Sequence, residues 1–173
     1  MKLLTTIYGS KDININGSAS LRTAVRSIIF ERDKLLMVFS KANGDYKFPG
    51  GGVMQGEDHQ NALIREIREE TGVKYAEIVS EYGKVIEYRP PKETEHDVFK
   101  MTSYYYVCEI GKEIGSQELD PYEEELGFTA CWVSVEEALE QNKIILREPI
   151  RKIPSWTRRE VFVLELLKGN GLE

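Results

Sequence analysis

The chain has 173 residues and a mass of 19.9 kDa, which fits one domain and hardly two. Hydrophobic residues make up 41% and charged residues 30%, so a packed core is expected and disorder is not. With 23 Lys+Arg against 29 Asp+Glu, the net charge of −6 argues against a dedicated nucleic-acid binder, whose footprint is basic, yet allows a local basic pocket for a small phosphorylated ligand. No run approaches the roughly 18–20 apolar residues of a membrane span. The segment Met1–Tyr8 lacks the pattern of a secretory signal. Cys108 and Cys131 have no CxxC spacing and read as buried free thiols of a reducing compartment. The expectation is a soluble cytoplasmic domain with neither a membrane nor a nucleic-acid polymer as partner.

In chain order, residues 1–20 read as a polar N-terminal extension that supplies extra strands, with Asn16-Gly17 as a tight turn. Leu21–Phe30 and Leu35–Phe39, joined by the charged Glu31-Arg32-Asp33-Lys34, predict a β-hairpin. A loop through Asn43-Gly44-Asp45 ends in Phe48-Pro49-Gly50-Gly51-Gly52. Asp58 to Thr71 predicts a helix with Asp58 as N-cap and Gly72 as C′ residue. Strands follow at 78–88, 101–110 and 128–133, with polar loops between them. Ser134 and Thr157 each open a helix with a capping-box pattern. Strands early and helices late predict a mixed sheet covered by helices, an α/β class without alternating βαβ units.

The helix from Asp58 carries the chemistry. At about 100° per residue, Leu63, Ile64, Ile67 and Thr71 share one arc, which docks on the core. Glu66, Glu69 and Glu70 fill the neighbouring arc, and Arg65, Arg68 and Asn61 lie opposite. The three carboxylates sit near the helix C-terminus, where the macrodipole disfavours each by about 0.3–1 kcal/mol. Glu66 and Glu70 also repel one another as an i,i+4 pair, by about 0.2–0.5 kcal/mol. A local conflict of this kind marks a candidate site. A hard divalent cation relieves it, because such ions prefer carboxylate oxygens.

The flanking residues sharpen this reading. Gly51, five residues, Glu57, seven residues and then Arg65-Glu66-Ile67-Arg68-Glu69-Glu70-Thr71-Gly72-Val73 match every position of the Nudix box, G-x5-E-x7-R-E-U-x-E-E-x-G-U with U apolar. The chain therefore resembles the Nudix hydrolases over residues 21–168, and 21–173 are assigned to that domain. One departure is Met54, where many members carry a further Glu.

The resemblance implies a Nudix fold, a mixed β-sheet sandwiched between helices, and hydrolysis of a pyrophosphate bond in a nucleoside diphosphate linked to another group. It implies Mg²⁺ or Mn²⁺ as cofactor, with Glu66, Glu69, Glu70 and the Gly50 carbonyl as metal ligands. Glu69 or Glu66 is the expected proton acceptor, and Arg65 with Glu57 an ion pair that fixes loop against helix. A further loop carboxylate is sought first at Glu123, Glu124 and Glu125, then at Asp120, Glu118, Glu93 and Glu95. Gly50 and Gly51 let phosphates approach backbone. Lys47, Arg89, Lys92, Arg147 and Arg151 are candidate phosphate partners. Tyr104 leads the candidate base-stacking rings, with Tyr46, Phe48, Tyr88 and Tyr106. The expected partner is a small nucleotide: a nucleoside triphosphate, ADP-ribose, a nucleotide sugar or a dinucleoside polyphosphate. The N-terminal extension is compatible with strand exchange in a homodimer or with a simple extra hairpin. Two other readings stand beside the hydrolase: a nucleotide sensor without turnover, which a damaged box would favour, and an isoprenoid diphosphate isomerase, which needs Cys108 in the pocket.

Overall fold

The computed structural model describes residues 1–10, 13–91, 95–148 and 153–170. Its strands are Leu3–Tyr8 (β1), Ala19–Ile28 (β2), Phe30–Glu31 (β3), Lys34–Ser40 (β4), Asp45–Lys47 (β5), Ala76–Arg89 (β6), Val98–Ile110 (β7) and Phe128–Ser134 (β8). Its helices are His59–Thr71 (α1), Pro121–Leu126 (α2), Val135–Arg147 (α3) and Thr157–Asn170 (α4). One mixed sheet runs β1-β6-β7-β2, with β1 and β2 parallel to their neighbours and β6 antiparallel to β7. The second sheet is antiparallel, with β4 between β5 and β8 and paired at its start with β3. No helix among the described residues is long and apolar enough to cross a membrane.

Strand alternation gives the mixed sheet two buried faces. Val25 and Tyr106 pack with Leu63 and Ile67 of α1 on one side. Ile28, Val85 and Tyr105 pack with Phe48, Leu139 of α3 and Val163, Leu164 and Leu167 of α4 on the other. The apolar arc of α1 is thus its docked face, and the α/β/α sandwich follows.

Three local expectations change. The hairpin is confined to Phe30–Glu31 and Lys34–Leu35, because β2 belongs to the other sheet and hands over at Ile29, whose carbonyl accepts the Leu36 N–H at 2.9 Å. A continuous apolar run cannot reveal such a switch of sheets. The loop before residue 128 contains α2, signalled by Asp120-Pro121-x-Glu123, a capping box with Pro in the first turn. Thr157 and Glu160 do not form a capping box. Thr157 Oγ1 donates to Asp45 at 2.8 Å, and the Glu160 carboxylate is turned inward to Arg159 at 2.6 Å. The extension contributes β1, which pairs in parallel with β6 of the same chain.

Asp45 makes a testable contribution to this packing. Trp156 Nε1 and Thr157 Oγ1 both donate to its Oδ2 at 2.8 Å, and its buried Oδ1 has no partner. Burial outweighs those two bonds and pushes the carboxyl up from 3.8 to about 6. The folded state therefore keeps a proton that the unfolded chain releases, so stability falls as pH rises from about 4 to about 6. At 1.36 kcal/mol per pH unit the loss is about 3 kcal/mol. Asp45→Asn removes it: denaturant unfolding at pH 8 should show a variant about 1–3 kcal/mol more stable than wild type, with a flatter profile across that window.

Candidate active site

The site forms where α1 meets the loop that edges β2. Asp58 accepts the Asn61 N–H at 2.7 Å, which starts the helix, and Gly72 ends it in the left-handed region at φ 76°. Residues 49–53 run antiparallel along β2: Val25 N–H donates to the Gly51 carbonyl at 2.9 Å, and Ser27 N–H to Pro49 at 2.8 Å. Gly50 has φ 137°, a conformation that demands glycine, and a Cβ there would fall 2.1 Å from the Val25 carbonyl oxygen. At Gly51 a Cβ would fall 2.4 Å from the Glu66 carboxylate. The loop and the helix are therefore in contact through missing side chains.

Arg65 ties the two together. Its Nε and Nη2 donate to the two oxygens of Glu57 at 3.0 Å each, a bidentate pair, and Nη2 also reaches the Gly52 carbonyl at 3.1 Å. Its Nη1 donates to Glu66 at 2.8 Å and to Glu69 at 3.1 Å. That guanidinium holds the Glu57 carboxyl below its ordinary value. Glu66, more deeply placed, is raised by burial despite Arg65.

Glu70 is sealed at 1% exposure between the loop and β5. Its Oε2 accepts the Gly50 N–H at 2.8 Å, and its Oε1 is bonded to Lys47 Nζ. Burial pushes it up to about 7, against the pull of Lys47, and the charges of Glu66 and Glu123 add to the rise. Glu123 is the loop carboxylate that arrives here. It is buried at the start of α2, accepts Tyr122 Oη at 2.8 Å and the Asp120 N–H at 3.0 Å, and faces Glu70 electrostatically. Its neighbours Glu124 and Glu125 are exposed.

The Gly50 carbonyl accepts Arg26 Nη1 and, at 3.4 Å, Lys47 Nζ. Glu66, Glu69, Glu70 and Gly50 thus present hard oxygens, the donor chemistry of a divalent cation of the Mg²⁺ class. One oxygen of each group is held by a cation of the protein itself: Glu66 Oε1 and Glu69 Oε2 by Arg65, Glu70 Oε1 by Lys47, and the Gly50 carbonyl by Arg26 and Lys47. Among the described residues no three acidic, His or Cys side chains converge closely enough to hold an ion as they stand. An ion of that kind would have to displace these cations, and charge balance makes the exchange feasible.

Other sequence candidates lie elsewhere. Lys47 is inside the cluster, as counter-ion to Glu70. Arg89 lies on the far face of the mixed sheet, over the Phe99 ring at 5.3 Å and 3.7 Å from Glu87. Tyr104 packs tilted against His59, with 4.5 Å between centroids, and Tyr106 Oη meets His59 Nδ1 at 2.7 Å, so both rings pack the first turn of α1. Arg147 is exposed at the end of α3. Lys92, Glu93 and Arg151 lie outside the described residues. Cys108 is buried in the core beneath α1, its thiol pushed up to about 12 by burial, and touches none of the carboxylates of the cluster. Sequence reasoning missed Arg26 and Tyr122. A charged residue alternating with apolar ones in β2 was the available signal for the first; the second had none.

The NUDIX domain family matches residues 20–153. Nudix hydrolase 25 of Arabidopsis thaliana is 29% identical over 133 residues, which is 69% of this chain and 76% of that protein. The RNA pyrophosphohydrolase of Pelagibacter ubique is 35% identical over 75 residues, and that match spans 42% of this chain and about half, 48%, of the relative. A solved NUDIX hydrolase from Nitrosomonas europaea superposes with a TM-score of 0.59 at 20% identity, covering 88% of this chain and 90% of its own. A fold held in common and a family match over most of the chain, lying across an intact loop-and-helix site, place this protein in the Nudix family of hydrolases.

Proposed function

We propose that the chain hydrolyses the pyrophosphate bond of a nucleoside diphosphate linked to another group, using Mg²⁺ or Mn²⁺ held by Glu66, Glu69, Glu70 and the Gly50 carbonyl. Nudix hydrolases generally use divalent metal ions, and the observation that carries the reading here is the set of hard oxygens gathered around Gly50 and α1. When bound, the ion neutralises the diphosphate and lowers the pKa of a water. The chain's own groups do the rest. Arg65 and Glu57 lock the loop to the helix, so that the carboxylates keep their geometry while the Arg65 Nη1 contacts are exchanged. Lys47 balances the charge of the buried Glu70 until the ion takes its place. Glu69, with the most exposed side chain of the three glutamates, is open to take the proton of an attacking water. Glu123 stands beside Glu70 as a further acceptor.

Gly51→Ala tests the contact between loop and helix. The new Cβ must push the Glu66 carboxylate aside while the backbone stays unstrained, so turnover should fall about 10- to 100-fold with little change in Tm. An unchanged kcat would show that Glu66 is not held against that loop during reaction.

Product identification on a panel of nucleotides, with Mg²⁺ and with chelator, tests the function itself. A fast substrate that is silent with chelator supports it. Nucleotide binding without any turnover would favour a sensor.

A further inference from the structure

The segment that follows β7 runs back across the end of α1. Glu118 N–H donates to the Glu69 carbonyl at 2.8 Å, Gln117 Nε2 to the Glu70 carbonyl, and Gly115 N–H to the Gly72 carbonyl at 2.7 Å. Lys74 N–H donates in the other direction, to the Glu113 carbonyl at 3.1 Å. The last carbonyls of a helix have no partner within it, and here the segment supplies their donors. The approach is close: a Cβ on Gly72 would fall 2.3 Å from the Gly115 carbonyl oxygen. Residues 113–118 are therefore registered on the turn that carries Glu69 and Glu70. The same segment leads directly into α2, and so delivers Glu123 to a fixed place beside them.

Glu123 is buried, yet among the described residues no Lys, Arg or His lies within ion-pair distance of it. Buried carboxylates are ordinarily paired with a cation. The charge that Glu123 faces is instead that of Glu70, another carboxylate. Two neutral donors hold it: Asp120 N–H reaches Oε2 at 3.0 Å, and Tyr122 Oη reaches Oε1 at 2.8 Å. Capping of α2 requires only the first of these bonds. The second fixes the oxygen that capping leaves free. Each oxygen keeps a further lone pair, so the carboxylate is aimed without being used up. A carboxylate set against another with no cation of its own is a local cost of the kind that marks function.

The Tyr122 ring is half exposed, but it is braced. Its edge meets the buried Phe128 ring with 6.4 Å between centroids. Lys47 Nζ, the counter-ion of Glu70, lies 4.9 Å from the centre of the same Phe128 ring. One buried ring thus supports both the hydroxyl that holds Glu123 and the ammonium that holds Glu70.

We propose that Tyr122 is a positioning residue for the hydrolysis: its hydroxyl holds Oε1 of Glu123 so that this carboxylate stays directed at the oxygens around Glu70 as the further proton acceptor. The proposal rests on the hydrolase reading above and adds to it a residue that acts only through another. In the step concerned, a water O–H bond breaks as its proton passes to the carboxylate. The water oxygen bonds to phosphorus, and the bridging P–O bond breaks, its electron pair leaving with the departing phosphate.

Steady-state kinetics of the full chain with Mg²⁺ test it, on the nucleotide that wild type turns over fastest. The variants are Tyr122→Phe, Tyr122→Leu, Glu123→Gln and the double variant Tyr122→Phe with Glu123→Gln. Tyr122→Phe keeps the ring and its contact with Phe128 and loses only the hydroxyl, so Tm should stay as in wild type. Its kcat should fall about 10- to 100-fold, the worth of a hydrogen bond to a charged group, with KM within about twofold. In the Glu123→Gln background the same substitution should cost less than about twofold, because the hydroxyl acts through that carboxylate alone. A kcat of Tyr122→Phe equal to wild type overturns the proposal, as does an undiminished loss in the Glu123→Gln background. Tyr122→Phe behaving as wild type while Tyr122→Leu raises KM would make the ring a substrate contact and overturn it as well. Each of these failures leaves chelator-sensitive turnover by wild type intact. Wild type inert on every nucleotide removes the hydrolase reading, and the role of Tyr122 with it.

Discussion

Glu69→Gln and Glu66→Gln should each lower kcat/KM on the best nucleotide by about 100- to 1,000-fold, with stability nearly unchanged. The amide keeps the size of the carboxylate and its carbonyl oxygen, so the Arg65 Nη1 contacts at 2.8 Å to Glu66 and 3.1 Å to Glu69 are weakened and not abolished. What disappears is the negative charge that offsets a divalent ion. Electrostatic stabilisation by such an ion is worth several kcal/mol in the transition state, and each 1.36 kcal/mol is a factor of ten, which gives the range above. The two variants should differ in kind. Glu69 has the more exposed side chain, at 29% against 12% for Glu66, and if it takes the proton of the water its loss should fall on kcat alone. Glu66 sits against Gly51, so its loss should also raise the concentration of metal needed for half-maximal rate. Activity within a few fold of wild type for both variants would mean that the carboxylates are a structural feature of the helix only.

The second large effect is on stability and concerns Arg159. This side chain is fully buried in α4 and donates to Glu87 of β6 at 2.6 Å, to Glu160 at 2.6 Å and to Tyr105 Oη of β7 at 2.9 Å. Arg159→Met fills much of the volume but leaves Glu160 buried without its cation and Glu87 with only Arg89, at 3.7 Å. Breaking a buried pair in this way costs about 3–5 kcal/mol, a large share of a domain's stability. Urea midpoints of the variant and of wild type at pH 8 check this. Adding Glu87→Gln and Glu160→Gln to Arg159→Met should recover part of the loss at pH 8. A midpoint equal to wild type at pH 8 would mean that α4 is held by its apolar contacts alone.

The reach of the sequence follows from which interactions are local. Asp58, Gly72 and the alternation of Leu63 and Ile67 with the glutamates define α1 without tertiary knowledge, and the Nudix box fixes the loop that faces it. Glu123, Glu124 and Glu125 are alike on paper. Only the capping box with Asp120, which turns Glu123 inward, separates them in the fold. The same kind of local signal misleads at Thr157. Its Thr-x-x-Glu pattern is overridden because Asp45, more than a hundred residues away in the chain, offers the hydroxyl a better acceptor, and Arg159 claims Glu160. Register is the least legible quantity. The run from Leu21 to Phe30 looks like one arm of a hairpin, yet most of it pairs in parallel with β7, a contact made across nearly eighty residues. Lys47 and Arg89 are equivalent in the sequence as candidate phosphate partners. The fold sends Lys47 to Glu70 and Arg89 to the opposite face.

On the reading proposed above, protein cations hold oxygens which a divalent ion takes during function. Titration of the full chain with Mn²⁺, followed by the enhancement of water proton relaxation, reads this directly without substrate. Wild type should bind the ion, and Glu66→Gln and Glu70→Gln should weaken binding by about tenfold or more. Binding in both variants indistinguishable from wild type would contradict the claim and place any ion elsewhere on the molecule.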